Sequence, residues 1–125
     1  MTNASPADAI QHYIDGATKG DADAMNAAFH CDARMFGALG DQRFDLPIAD
    51  MIGMISAQPA DVDGNFRATV RSIEEHGDIA TAIVDEENLW GSVGFTDVFS
   101  LARIDGNWLI VNKTFTHTGG EPPAH

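Results

Sequence analysis

Basic residues are scarce in this chain. Seven Lys and Arg stand against nineteen Asp and Glu, a formal charge of −12 over 125 residues. Nucleic-acid binders gain affinity by neutralising phosphates with Lys and Arg, and an anionic membrane attracts basic surfaces, so neither partner is expected. Cysteine is scarcer still: Cys31 is alone, which leaves no internal disulfide and no cysteine-based zinc finger. No apolar run of about 18 residues is present, so no membrane span is expected. The opening MTNASPADAI has neither a basic stretch nor an apolar one, and a secretory leader is not expected. What the chain does have is 44% apolar content at a length suited to one domain. The expectation is an acidic, soluble, cytoplasmic domain with its own core.

The first half carries helix signals. Ser5-Pro6-Ala7-Asp8 supplies a capping hydroxyl, a proline at the first helical position and a carboxylate at the third. Ile10, Tyr13, Ile14 and Ala17 follow at the spacing of one buried face, and Gly20 stops the helix. Asp21 caps a second helix with Met25, Ala28 and Phe29 along its apolar stripe. Pro47 opens a third, with Ile48, Met51, Ile52 and Ile55, ending before Pro59. Between the second and third, residues 33–44 read as a short hairpin turning at Gly40-Asp41.

From residue 64 the pattern changes. Segments 66–73, 79–90, 95–104 and 108–115 are rich in Val, Ile, Thr and aromatics. They are separated by Gly77-Asp78, Gly91 to Gly94 and Asp105-Gly106-Asn107, the chemistry of tight hairpins, so an antiparallel meander is predicted. Three helices and then a meander make an α+β fold, with helices on one face of a curved sheet. Segments 79–90 and 95–104 are apolar at both parities, which calls for a second subunit on the other face. Residues 5–117 form the expected domain and 118–125 an expected disordered tail.

This order of elements, with Ala33-Arg34 entering the first strand and Ile104 to Ile110 (IDGNWLI) near the end, resembles the nuclear-transport-factor-2-like superfamily. Within it, Phe95 to Leu101 (FTDVFSL) followed by Ile110 to His117 (IVNKTFTH) resembles the group called putative lumazine-binding proteins, close to SnoaL-type polyketide cyclases and steroid Δ-isomerases. The resemblance implies a cone: a curved sheet around a long helix, a pocket at the wide end, and pairing through the sheets. Laid along the chain without gaps, the isomerases' oxyanion-hole tyrosine falls on Tyr13, their general base on Gly37 and their oxyanion aspartate near Ser100. Glycine cannot abstract a proton and serine is no acid, so steroid isomerisation by that mechanism is not expected.

Several residues carry candidate chemistry beside a plainer reading. Tyr13 is a pocket donor to a carbonyl oxygen, or a core tyrosine bonding locally. Asp97, a carboxylate inside an apolar strand, is a general base or acid, or else paired within the sheet. Lys113, one of two lysines, neutralises an acidic ligand, pairs with Asp97 across strands, or is solvated. Met35, Met51, Trp90, Phe99, Ser100, Phe115 and His117 complete the expected ligand contacts. Met25 and Met54 belong with an adaptable lining or with the core. Glu86 and Glu87 read as solvated or at an interface rim. His30-Cys31-Asp32 lacks further convergent ligands, so no metal is expected, and Cys31 reads as buried or idle. No phosphate loop or dinucleotide fingerprint is found, and no cofactor is expected. The leading reading is a homodimeric binder of a small apolar or aromatic molecule. The alternatives are a cofactor-free enzyme acting on a carbonyl-bearing ring, with Asp97 as base and Tyr13 as donor, and a non-catalytic interaction domain.

Overall fold

The computed structural model describes residues 2–121, and helix α1 (Pro6–Lys19) opens on the predicted cap. The Asp8 N–H donates to Ser5 Oγ at 3.2 Å, and the Ala4 N–H donates to the Asp8 carboxylate at 3.2 Å. Gly20 ends the helix at φ 72°, a left-handed conformation that costs a side chain energy and glycine nothing. Asp21 then caps α2 (Ala22–Ala28) by accepting from the Asp23 and Ala24 N–H groups. Pro47 precedes α3 (Ile48–Ala57), whose Ile48, Met51, Ile52 and Ile55 are buried.

The strands are β1 (Phe29–Leu39), β2 (Gln42–Pro47), β3 (Arg67–His76), β4 (Ile79–Leu89), β5 (Val93–Ile104) and β6 (Asn107–Gly119). All the strands but β4 run longer than their sequence signals. Strand β6 therefore extends two residues into the expected tail, and Ser92 Oγ donates to the Glu121 carbonyl. Residues 122–125 of that tail lie outside the described residues.

The described strands form one sheet in the order β2-β1-β6-β5-β4-β3. Each neighbouring pair is antiparallel except β1–β6, which is parallel. The meander starts at the far edge and works back until β6 meets β1, so this pairing is set by topology rather than by any local signal.

One irregularity in the sheet sets up the site. Ser100 pairs with Asn112 but Leu101 pairs with Ile110, which leaves Val111 as an extra residue in β6. Such a bulge shifts the inward parity by one. Trp108 and Ile110 before it, and Lys113 and Phe115 after it, all turn toward the helices. Trp108, Ile110, Phe99 and Leu101 pack there with Ile10, Tyr13 and Ala17 of α1 in the main core. On the opposite face of the sheet Val70, Ile79 and Val98 are exposed. Asp85, held by Arg71 at 2.6 Å and by Thr96 at 2.8 Å, lies on that face too.

Candidate functional site

Inward parity on β4 and β5 alternates small and apolar residues until it reaches two carboxylates. Ala80, Ala82 and Val84 lead to Glu86; Leu101 and Phe99 lead to Asp97. Val84 pairs with Asp97 and Glu86 with Phe95, so the two acids are diagonal neighbours on one face. Both are sealed from water, Glu86 at 1% exposure and Asp97 at 0%. Tyr13 of α1 lies over them, its hydroxyl 3.0 Å from Glu86 Oε2 and 3.4 Å from Asp97 Oδ2. Its ring is fixed edge-on to Phe29 at 5.7 Å and tilted against Phe99 at 5.1 Å.

Lys113 reaches the cluster from β6 with its Nζ 3.9 Å from Asp97 Oδ2. It is buried at 7% exposure, and the ammonium lies over the Tyr13 ring at 5.1 Å and the Phe115 ring at 5.6 Å. Its nearest polar contact from α3 is Met51 Sδ at 3.6 Å. Among the described residues, no oxygen lies within hydrogen-bond distance of this nitrogen, and Asp97 Oδ1 is buried without a partner.

The electrostatics follow from two acids sharing one cation in a dry place. Burial, and then the neighbouring Glu86 carboxylate, push the Asp97 carboxyl well above the usual carboxylate range, against the opposing pull of Lys113. The Tyr13 phenol is likewise pushed up, first by burial and then by the charges of Glu86 and Asp97. It remains a proton donor throughout the neutral range.

An apolar cavity of about 50 Å³ adjoins this cluster. Met35 and Leu39 of β1, Phe44 of β2, Met51, Met54 and Ile55 of α3, Leu89 and Trp90, Phe95, Lys113 and Phe115 line it. Lys113 is the charged group in that wall, so the ammonium faces the cavity while the acids and Tyr13 stand behind it. Trp90 is held by two backbone carbonyls. Its Nε1–H donates to Gln58 at 2.7 Å and its N–H to Ala60 at 2.9 Å, with φ at 54°. A left-handed tryptophan is uncommon, and the surrounding bonds hold it there.

Of the expected contacts, Met35, Met51, Trp90, Lys113 and Phe115 line the cavity. Phe99 does not: at 0% exposure it lies in the core against Tyr13. Ser100 points the other way, exposed on the outer face, because it alternates with Phe99 and Leu101. His117 lies at the rim, its ring 5.9 Å from Phe95. Its Nδ1 accepts from the Gly40 N–H, and its Nε2 lies 2.9 Å from the Gly119 carbonyl. Gly37 has no room for any side chain, since a Cβ there would lie 2.4 Å from the Phe115 carbonyl oxygen.

Three further expectations are corrected. Glu86 is neither solvated nor at a rim; its even spacing from Ala80, Ala82 and Val84 was the available signal. Lys113 is not solvated, because the Val111 bulge turns it inward. Cys31 is exposed, not buried. His30, Cys31 and Asp32 do bring their ligand atoms within 4.8 Å of one another, but Asp32 and Cys31 are exposed and His30 Nδ1 already accepts from the Asp32 N–H. Sequence reasoning also missed Leu39, Phe44, Ile55, Leu89 and Phe95 in the cavity wall, which are ordinary apolar residues until the sheet curves.

A family model described as putative lumazine-binding matches residues 3–116. Among solved structures, an NTF2-like protein of unknown function from Methylobacillus flagellatus KT is 36% identical, with a TM-score of 0.80 over 90% of this chain and 89% of that one. Another, from Shewanella baltica OS155, is 25% identical with a TM-score of 0.80 over 95% of this chain and 92% of that one. A cystatin-like fold protein from Burkholderia xenovorans LB400, 17% identical over 94% of this chain and 93% of that one, shares the fold with a TM-score of 0.66. No curated protein matches the chain.

Proposed function

The chain belongs to the putative lumazine-binding family of NTF2-like proteins, and from that premise we propose that it binds a small, flat, largely apolar molecule whose carbonyl oxygen meets Lys113. The observation that carries this reading is the ammonium itself. A buried cation ordinarily has its protons taken up by oxygen. Here Lys113 presents donors to an apolar cavity, with its nearest carboxylate oxygen at 3.9 Å. A ligand oxygen supplies the missing acceptor, and Phe95, Phe115 and Trp90 supply faces for a flat ring.

The cavity of about 50 Å³ holds little more than a water, whereas ligand pockets run to roughly 300 Å³ and above. Binding therefore requires the wall to open. Met51 and Met54, unbranched thioethers of α3, are the side chains suited to move. The protein works as a homodimer in this reading, with the partner covering exposed Val70, Ile79 and Val98. The exposed free thiol of Cys31 fits a reducing compartment, which makes the cytoplasm the proposed location.

Lumazine is the direct probe, and tryptophan emission is the readout because Trp90 lines the cavity. Saturable quenching is expected, weakened about tenfold or more in Lys113→Met, the equivalent of one hydrogen bond to a charged group. Absence of quenching at millimolar lumazine, or equal affinity in the variant, overturns the reading.

A further inference from the structure

Resting on the same pocket, we propose that Lys113 condenses with a carbonyl ligand to form an imine, with the Glu86–Asp97 pair moving the protons. An amine nucleophile needs an apolar site, a nearby base to take its proton and an acid to release water. Lys113 has each of these. Its Nζ stands in an apolar cavity wall, Asp97 Oδ2 is 3.9 Å away, and the Tyr13 hydroxyl spans Asp97 at 3.4 Å and Glu86 at 3.0 Å.

The charges of the cluster suit the sequence of steps. Burial and the Glu86 charge raise the Asp97 carboxyl above the usual range. This strengthens Asp97 as the base that takes a proton from Lys113 3.9 Å away, with Glu86 reached through Tyr13. One carboxyl can give a proton while the other takes one, and the Tyr13 hydroxyl lies between them to pass it. From α3 only Met51 touches the ammonium, so no further charged group competes for it there.

The steps balance without an oxidant or reductant. The ammonium of Lys113 loses a proton to the carboxyl pair, and the freed nitrogen pair attacks the carbonyl carbon. A carbon–nitrogen bond forms while the carbonyl π electrons move to oxygen, which takes up a proton from the pair. The nitrogen returns a proton to the pair. A second protonation of the oxygen breaks the carbon–oxygen bond, water leaves, and the nitrogen lone pair closes the iminium. Aldehyde or ketone plus ammonium becomes iminium plus water. Hydrolysis reverses the path.

The composition makes the test clean, since the chain has two lysines and the other, Lys19, lies exposed on α1. The protein is incubated with sodium cyanoborohydride and either benzaldehyde or the smaller acetaldehyde, then digested and mapped by mass. Reductive alkylation of Lys113 is expected about tenfold faster than that of Lys19, and Asp97→Asn slows it about a hundredfold while leaving Lys19 unchanged. Wild-type mapping decides the matter even if a variant folds poorly. Lys113 unmodified by both aldehydes, or modified no faster than Lys19, overturns the imine. Lumazine quenching alongside an unreactive Lys113 leaves the binding reading standing without this step. A reactive Lys113 without lumazine binding does the reverse.

Discussion

Asp97 and Tyr13 show how a residue takes its behaviour from its surroundings. The native Asp97 carboxyl is raised above its unfolded value, chiefly by burial. As pH climbs past the ordinary carboxylate range of about 4, the unfolded chain releases this proton while the native one keeps it. The native state then binds more protons, so stability falls as pH rises until the native group also ionises. Wild type should therefore lose its advantage over Asp97→Asn as pH rises above about 4, the unfolded carboxylate range, read from urea midpoints at several pH values. An advantage that grows with pH would mean that Lys113 dominates instead. Tyr13 makes a different demand. Its hydroxyl is the hydrogen bond found for Glu86 among the described residues, at 3.0 and 3.2 Å to the two oxygens. Tyr13→Phe should keep the fold but cost about 1–3 kcal/mol, the penalty for a buried acceptor without its donor. A urea midpoint equal to wild type would show that Glu86 has another partner.

Elements carry their own constraints, clearest where β1 and β6 meet. Gly37 pairs with Phe115 across the parallel interface, and a Cβ there would sit 2.4 Å from the Phe115 carbonyl and 2.7 Å from its ring. Neither backbone can yield without opening the sheet. Gly37→Ala should cost about 1–3 kcal/mol through overpacking, and it should disturb the cavity because Phe115 lines it. Thermal denaturation, together with the tryptophan emission of Trp90, reports both effects. Wild-type stability in this variant would mean that β1 and β6 separate more freely than their register implies. The bulge at Val111 acts at this scale too, since without it Asn112 would turn inward and Lys113 would face outward.

The whole molecule has one finished face and one open one. Helices α1 and α3 cover the inner face of the sheet, while Val70, Ile79 and Val98 remain exposed on the outer face. Covering them needs an interface of about 800 Å² per partner. Sedimentation equilibrium at micromolar concentration should give twice 13.4 kDa. With −12 on each chain, added salt should strengthen the pairing by screening the repulsion. A species of 13.4 kDa throughout removes the dimer.

The sequence alone determined what depends on near neighbours. Ser5, Asp8, Gly20 and Asp21 placed the first two helices because caps and stops act within a single turn. The glycine turns at 77, 91 and 106 placed the meander for the same reason. Tyr13 declared itself as core by its spacing with Ile10, Ile14 and Ala17. Tertiary structure decided what depends on distant strands. The β1–β6 pairing joins segments about eighty residues apart, and the Val111 bulge answers to β5 rather than to its own neighbours. Glu86 therefore read as a surface acid, though it lies beneath Tyr13, and Ser100 read as a site residue, though it faces away. Lys113 meets Asp97 only because β5 and β6 pair in this one register. A charge's meaning is set by what surrounds it in space, and local sequence does not contain those surroundings.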